Sequence, residues 1–179
     1  GWKGYSTNRD RILGRVTDAV VTNTKTDLML VKLTSNKPIN KYLLPMAGGV
    51  HADKASQYIA SIVRQQADTS LTLCSIVSSD GEGAAEAQTR LAEAQQALQN
   101  GGELAINHTV VSNSSVTEGI VEESTNFDAV VIGAAGYGLY KRILFGTIPE
   151  TIAKETDKAV VLFKHYHPVK SLISRIMGE

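Results

Sequence analysis

The chain repeats itself, and the repeat limits how it can fold. Residues 1–32 align without a gap onto residues 133–164 at a constant offset of 132. Gly1, Gly4 and Gly14 fall on Gly133, Gly136 and Gly146, so both copies read glycine, two residues, glycine, nine residues, glycine. Val16-Thr17-Asp18-Ala19-Val20 then meets Ile148-Pro149-Glu150-Thr151-Ile152, and Leu28-Met29-Leu30-Val31-Lys32 meets Val160-Val161-Leu162-Phe163-Lys164. Glycines in register with a matching amphipathic segment and a matching apolar run mark a duplicated structural unit. The second copy is preceded by a long run of chain and the first by none, so the expected organisation is the tail of one unit followed by one whole unit. Residues 1–33 are read as the C-terminal remnant of a first unit, 34–38 (Thr34-Ser35-Asn36-Lys37-Pro38) as a polar, proline-bearing linker, 39–165 as a complete domain and 166–179 as an amphipathic tail.

Within the complete domain, short apolar runs alternate with longer amphipathic segments, the pattern of parallel strands joined by crossover helices. Strands are predicted at 42–46, 70–77, 103–111, 128–132 and 158–163. Helices are predicted at 52–66, 82–100, 115–123 and 147–155. Ala55, Tyr58, Ile59 and Ile62 recur at helical spacing and give the first helix one buried face. Gly101-Gly102 supplies a helix stop, and Thr147 with Glu150 has the spacing of a capping box, which starts the last helix just after Gly146. The fold class is therefore α/β, a five-stranded parallel doubly wound sheet, with the helix and strand of residues 1–33 added to it.

Composition removes several functions. Eighteen Lys and Arg against 18 Asp and Glu leave no field for a polyanion, so nucleic acid is not an expected partner. No apolar run approaches the roughly 20 residues that cross a bilayer. The single cysteine, Cys74, sits in the apolar run Leu71–Val77 and reads as core packing in a reducing compartment. His165-x-His167 lacks a third nearby ligand, so no metal site is expected. No Ser-His-Asp order, acid pair or Walker lysine is present, so a catalytic role is not expected and a slow ATPase without an identifiable general base stands as the third alternative.

In doubly wound sheets ligands bind beyond the carboxyl ends of the strands. Two of the loops there carry glycines: Ala47-Gly48-Gly49 after the first strand, and Gly133-Ala134-Ala135-Gly136 after the fourth. Glycines after a buried strand let an anion reach backbone amides, and Gly146-Thr147 adds a helix N-terminus and a hydroxyl suited to phosphate. Lys141 and Arg142 lie between the second and third glycines, where they can screen phosphate charge or be solvated.

Asp128-Ala129-Val130-Val131-Ile132-Gly133-Ala134-Ala135-Gly136, nine residues, Gly146-Thr147 resembles the ATP-binding signature of the universal stress protein family. Tyr42-Leu43-Leu44-Pro45 is similar to that family's first strand and Leu71–Val77 to its second. The resemblance implies an adenine nucleotide alpha hydrolase-like fold and ATP or AMP as ligand, with Mg2+ as a companion. It implies that Pro45 and Ile76 wall the adenine, that Ile132 and Gly133 pass under the ribose and first phosphate, and that Gly136, Gly146, Thr147 and Ile148 hold the phosphates. Ala47 departs from the pattern, since the family has an aspartate there that is associated with ribose and adenine contacts. The family's glycine-x-proline after the third strand is replaced by Ser112-Asn113-Ser114, and Arg15 stands in the first copy where Thr147 stands in the second.

The resemblance further implies a stress-response regulator that pairs through its last strand, as a homodimer or with the preceding unit, so Leu28–Leu33 is expected to pair beside Val160–Phe163 and cover an otherwise open edge. Tandem copies also resemble the cytoplasmic tails of some transporters, which makes a cytoplasmic location and a membrane transporter region the expected setting. Val169, Leu172, Ile173 and Ile176 share one helical face of the tail, fit for a partner, a membrane surface or the domain itself. The competing class is an interaction module that kept the fold and lost the nucleotide.

Overall fold

The computed structural model describes residues 15–134 and 147–166. A first helix and strand, α1 (Arg15–Asn23) and β1 (Leu28–Lys32), precede an alternating series: β2 (Lys41–Pro45), α2 (Val50–Gln65), β3 (Ser70–Val77), α3 (Ala84–Gln99), β4 (Ile106–Ser112), α4 (Val116–Ser124), β5 (Ala129–Gly133), α5 (Thr147–Glu155) and β6 (Ala159–Lys164). The six strands form one sheet in the order β1-β6-β5-β2-β3-β4. All neighbours are parallel except β1, which runs antiparallel to β6. The five expected parallel strands are β2–β6, and β1 is a sixth.

Period-two alternation along the strands divides the core between the two faces of the sheet. Tyr42, Leu44, Leu71, Leu73, Val131, Val161 and Phe163 face α2 and α3, where they meet Ala55, Ile59, Val63, Leu91 and Leu98. Val130, Ile132, Val160 and Leu162 face the other way, against Val21 of α1, Ile120 of α4 and Ile152 and Ala153 of α5. Each fully buried leucine or phenylalanine in these layers contributes about 1.5–3 kcal/mol by removing apolar surface from water. Asp128 secures the amino end of the sheet: its carboxylate accepts the backbone N–H groups of Asn40 and Lys41, both at 2.9 Å. The first residue of the glycine-bearing stretch thus works at the end of the sheet away from its glycines.

The sequence repeat is also a structural one. At the offset of 132, the bounds Arg15–Asn23 correspond to Thr147–Glu155 and Leu28–Lys32 to Val160–Lys164, so the helix and strand α1–β1 repeat α5–β6 in order and position. The expected pairing of Leu28–Leu33 with the last strand is present, with Leu30 opposite its own repeat mate Leu162.

Boundaries shift where turn chemistry intervenes. The third strand of the domain starts at Ile106 rather than 103, because Gly102 takes φ 118° and turns the chain before pairing resumes. The helix after β2 starts at Val50, two residues before the expected start, because Gly48 and Gly49, at φ 90° and 106°, redirect the chain at once. No helix among the described residues is long and apolar enough to cross a membrane.

Candidate functional site

The winding of the sheet reverses between β2 and β5. From β2 the chain moves outward through β3 to β4, then returns to the opposite side of β2 to lay down β5 and β6. α2 leaves β2 towards one face, whereas α5 follows β5 on the other. Such a point leaves a crevice beyond the carboxyl ends of the two strands. The ladder records where it opens. β2 and β5 pair only at Tyr42–Ala129 and Leu43–Val130, while β2 pairs with β3 up to Pro45–Cys74 and β5 with β6 up to Gly133–Phe163. Beyond the split, the Met46 N–H donates to the Cys74 carbonyl at 2.7 Å and the Ala134 N–H to the Phe163 carbonyl at 2.7 Å. Each strand is thus held by its outer neighbour and released by its inner one.

Both walls of the crevice are mainly backbone. On the β2 side, Pro45 is half-buried and Ala47, Gly48 and Gly49 are exposed. The positive φ of Gly48 and Gly49 makes any side chain there strained, and the space where their Cβ atoms would lie is open. Gly49 caps α2 without a side-chain bond, and its carbonyl accepts from Ala52 and Asp53 at 3.1 Å. On the β5 side, Ile132 is buried and Gly133 half-buried. Gly133 is needed for space: an added Cβ would lie 2.7 Å from the Ala52 nitrogen and 2.9 Å from the His51 carbonyl carbon. The first turn of α2 therefore rests against the end of β5, bringing a helix N-terminus with its positive dipole end to the crevice.

Of the residues singled out in the sequence, Pro45, Ala47, Ile132 and Gly133 come together at the carboxyl ends of these neighbouring strands. Ile76 lies one strand away on β3 and packs against α4, where its Cγ2 would be 3.0 Å from a Cβ on Gly119. Ile148 is 44% exposed in the first turn of α5, and Thr147 opens that helix. Gly136, Gly146, Lys141, Arg142, His167, the tail helix and the side chains of Arg15 and Thr147 lie outside the described residues. Cys74 is fully buried, and burial, with the charge of Glu123 adding to it, pushes its thiol up to about 12, which suits packing and not nucleophilic chemistry.

A polar cluster adjoining the crevice was not anticipated. The Asp27 carboxylate accepts His165 Nδ1–H at 2.8 Å and the Tyr166 N–H at 2.8 Å on one oxygen, and the Tyr58 hydroxyl at 3.2 Å on the other. The His165 N–H donates to Nδ1 of buried His51 at 3.0 Å, which leaves the proton of a neutral His51 ring on Nε2. Burial pushes the Asp27 carboxyl up, but the Tyr166 amide, the His165 ring and the Tyr58 hydroxyl together hold it below the ordinary carboxylate value. The signal was available in the sequence: an antiparallel pairing centred on Leu30–Leu162 places Asp27 opposite His165.

The chain is therefore a doubly wound α/β domain with a crevice at its switch point and glycines at the strand ends. The family model described as the universal stress protein family matches residues 38–164, most of the chain, and the protein belongs to that family. Members of this family are generally regulatory proteins rather than enzymes. Among solved structures, the chain resembles universal stress protein UspA from Lactobacillus plantarum at 18% identity and TM-score 0.59, covering 71% of this chain and 99% of that one. It resembles a universal stress protein solved in complex with cAMP at 17% identity and TM-score 0.59, covering 73% of this chain and 100% of that one. A universal stress protein from Archaeoglobus fulgidus aligns over 90% of this chain and 59% of its own, at 18% identity and TM-score 0.66. No curated protein sequence matches the chain.

Proposed function

We propose that the chain is a regulatory module that binds an adenine nucleotide, ATP or AMP, in the crevice between β2 and β5. The observation that carries this reading is the ladder that parts after Leu43–Val130, with Gly48, Gly49 and the first turn of α2 at its mouth. A cradle of backbone amides beside a helix N-terminus suits phosphate. A solved universal stress protein in complex with cAMP supports the choice of an adenine nucleotide. Pro45 and Ile132 are the apolar groups placed to meet a base or ribose, and the glycine-rich segment from Gly133 to Gly146 with Thr147 and Ile148 is assigned to the phosphates. Ile76 would reach the adenine only from the neighbouring strand. When bound as ATP, Mg2+ would screen phosphate charge. Among the described residues no cluster of three His, Cys, Asp or Glu side chains would hold the ion, so water and phosphate oxygens are assigned that role.

Residues 1–33 are read as the end of a preceding unit. The structural repeat supports this, as does the Archaeoglobus fulgidus protein, which covers 90% of this chain while leaving much of its own length unmatched.

A second reading, an interaction module that has lost its ligand, is favoured by Ala47, an exposed methyl where the family pattern has an aspartate. Calorimetric titration with ATP and with AMP, with and without Mg2+, separates the two when repeated on Gly146→Val. Micromolar binding lost in the variant is the expected result. No binding by either protein at millimolar nucleotide overturns the nucleotide reading in favour of the interaction module.

A further inference from the structure

The β1–β6 seam is reciprocal along its ladder and one-sided at one end. Lys32 Nζ donates to the Ala153 carbonyl of α5 at 2.7 Å, and Lys164 Nζ donates to the Val21 carbonyl of α1 at 2.5 Å. Lys32 and Lys164 are repeat mates, and so are Val21 and Ala153. Each strand's lysine therefore reaches across to the last turn of the other copy's helix, where the carbonyls and dipole favour a cation. With Leu30 opposite Leu162, Leu28 opposite Lys164 and Lys32 opposite Val160, the contact has the self-complementary form of a two-fold interface.

That reciprocity has a cost in specificity. A second molecule's β6 could take the place of β1 in the same register and supply the same groups: Leu162 for Leu30, Lys164 for Lys32, Ala153 for Val21. The two partners differ at the end of the seam. β1 is preceded by Asp27, which takes the His165 ring, the Tyr166 N–H and the Tyr58 hydroxyl. At the matching position β6 has its first residue, Ala159, whose methyl accepts nothing. A β6–β6 pair would lose this acceptor at both of its ends, leaving partly buried donors to find others. The opposite end of the β1–β6 seam, where Leu33 would continue towards Ala159, carries no comparable device, and Leu33 is 64% exposed.

We propose that Asp27 makes the edge of β6 selective for the chain's own β1 over the β6 of a second copy. The carboxylate, held by the residues after β6 and by Tyr58 of α2, is the one contact a second β6 cannot supply on a seam whose ladder accepts either partner. The short tether between β1 and β2 also favours the intramolecular pair by raising its effective concentration. The test must therefore change the latch and keep the tether.

Sedimentation equilibrium and amide exchange on the whole 179-residue chain do this. The unaltered chain is expected to stay monomeric, with the amides of Met29–Val31 protected. Asp27→Lys, which sets a cation against His165, is expected to lose that protection and to dimerise at least tenfold more tightly. Asp27→Ala should do the same more weakly, and serves if the lysine variant does not fold. Leu33→Lys alters charge on the same segment away from the latch and should stay monomeric. Asp27→Lys combined with His165→Glu reverses the pair and should restore the monomer. A folded Asp27 variant that stays monomeric with Met29–Val31 protected overturns the proposal. So does a dimer formed equally by Leu33→Lys, or an unaltered chain that itself dimerises with those amides exposed.

Discussion

Two seams of one sheet behave in opposite ways. β1 and β6 are zipped along five residue pairs, fastened at the two ends by reciprocal lysines and at one of those ends by Asp27 as well. β2 and β5, two strands further in, share two pairs and then part. Apolar content does not distinguish them, since all four strands are rich in valine or leucine. What differs is where the flanking helices lie. α2 and α5 leave β2 and β5 on opposite faces, so nothing pulls the strand ends together, whereas α1 and α5 lie on the same face and receive each other's lysines. A sheet of this kind acquires a ligand crevice where helices diverge and an interface where they converge.

The largest expected effect comes from forcing the open seam. Gly133→Val drives a side chain into the backbone of Ala52 and His51, which can yield only by moving the first turn of α2. A loss of about 2–3 kcal/mol in chemical denaturation is expected from such overpacking, together with loss of nucleotide binding. Gly48→Val, where the added Cβ meets nothing and the residue bears only the strain of φ 90°, should cost about 1 kcal/mol. Equal losses from the two would show that α2 does not rest on β5.

Next in size is Ala47→Asp, which returns a carboxylate to the exposed β2 rim of the crevice. Tightening of ATP binding by about tenfold, close to 1.4 kcal/mol, is expected by titration. Unchanged affinity would mean that the rim at Ala47 does not meet the ligand.

The closed seam is tested by its lysines. Burial pushes the amines of Lys32 and Lys164 down, and each nevertheless holds a helix carbonyl. Lys32→Met and Lys164→Met should each lower stability by about 1 kcal/mol, the net worth of such a bond, and by matching amounts. Strongly unequal losses would break the reciprocity.

The smallest effect is that of acid. The folded-state carboxyl of Asp27 lies below its unfolded value, so the unfolded chain takes up the proton first as pH falls. Its contribution is therefore complete above the ordinary carboxylate value of about 3.9 and disappears as pH drops through the folded one. Asp27→Asn should flatten the dependence of unfolding free energy on pH below about 4. An unaltered slope would mean that Asp27 does not govern the acid response of the seam.

Much of this was legible from patterns of fixed period. The alternating runs gave the parallel strands to within a few residues. The repeat marked Leu28–Leu33 as a copy of the last strand, and the resemblance to a family that pairs through that strand gave the partner of β6. What local pattern does not carry is tertiary destination. Ile76 and Ile132 look equivalent, as apolar residues near strand ends, yet the order of the sheet places Ile132 beside the crevice and Ile76 against Gly119 of α4. Gly133 reads as an anion-binding glycine, but its backbone is not left-handed, and the close approach of α2 is what excludes a side chain. Asp128 reads as part of a nucleotide signature and instead ties Asn40 and Lys41 at the far end of the sheet. Tyr58 reads as a core position of α2 and is half exposed, its ring against Phe163 and its hydroxyl on Asp27.

The contrast between the seams is tested most directly by amide hydrogen exchange with and without saturating ATP. Slowed exchange confined to Gly48–Ala52 and Gly133–Ala134, with Met29–Val31 unchanged, is the predicted result. Protection that appears along β1, or no change anywhere at millimolar ATP, would contradict the assignment of the open seam to ligand and the closed one to structure.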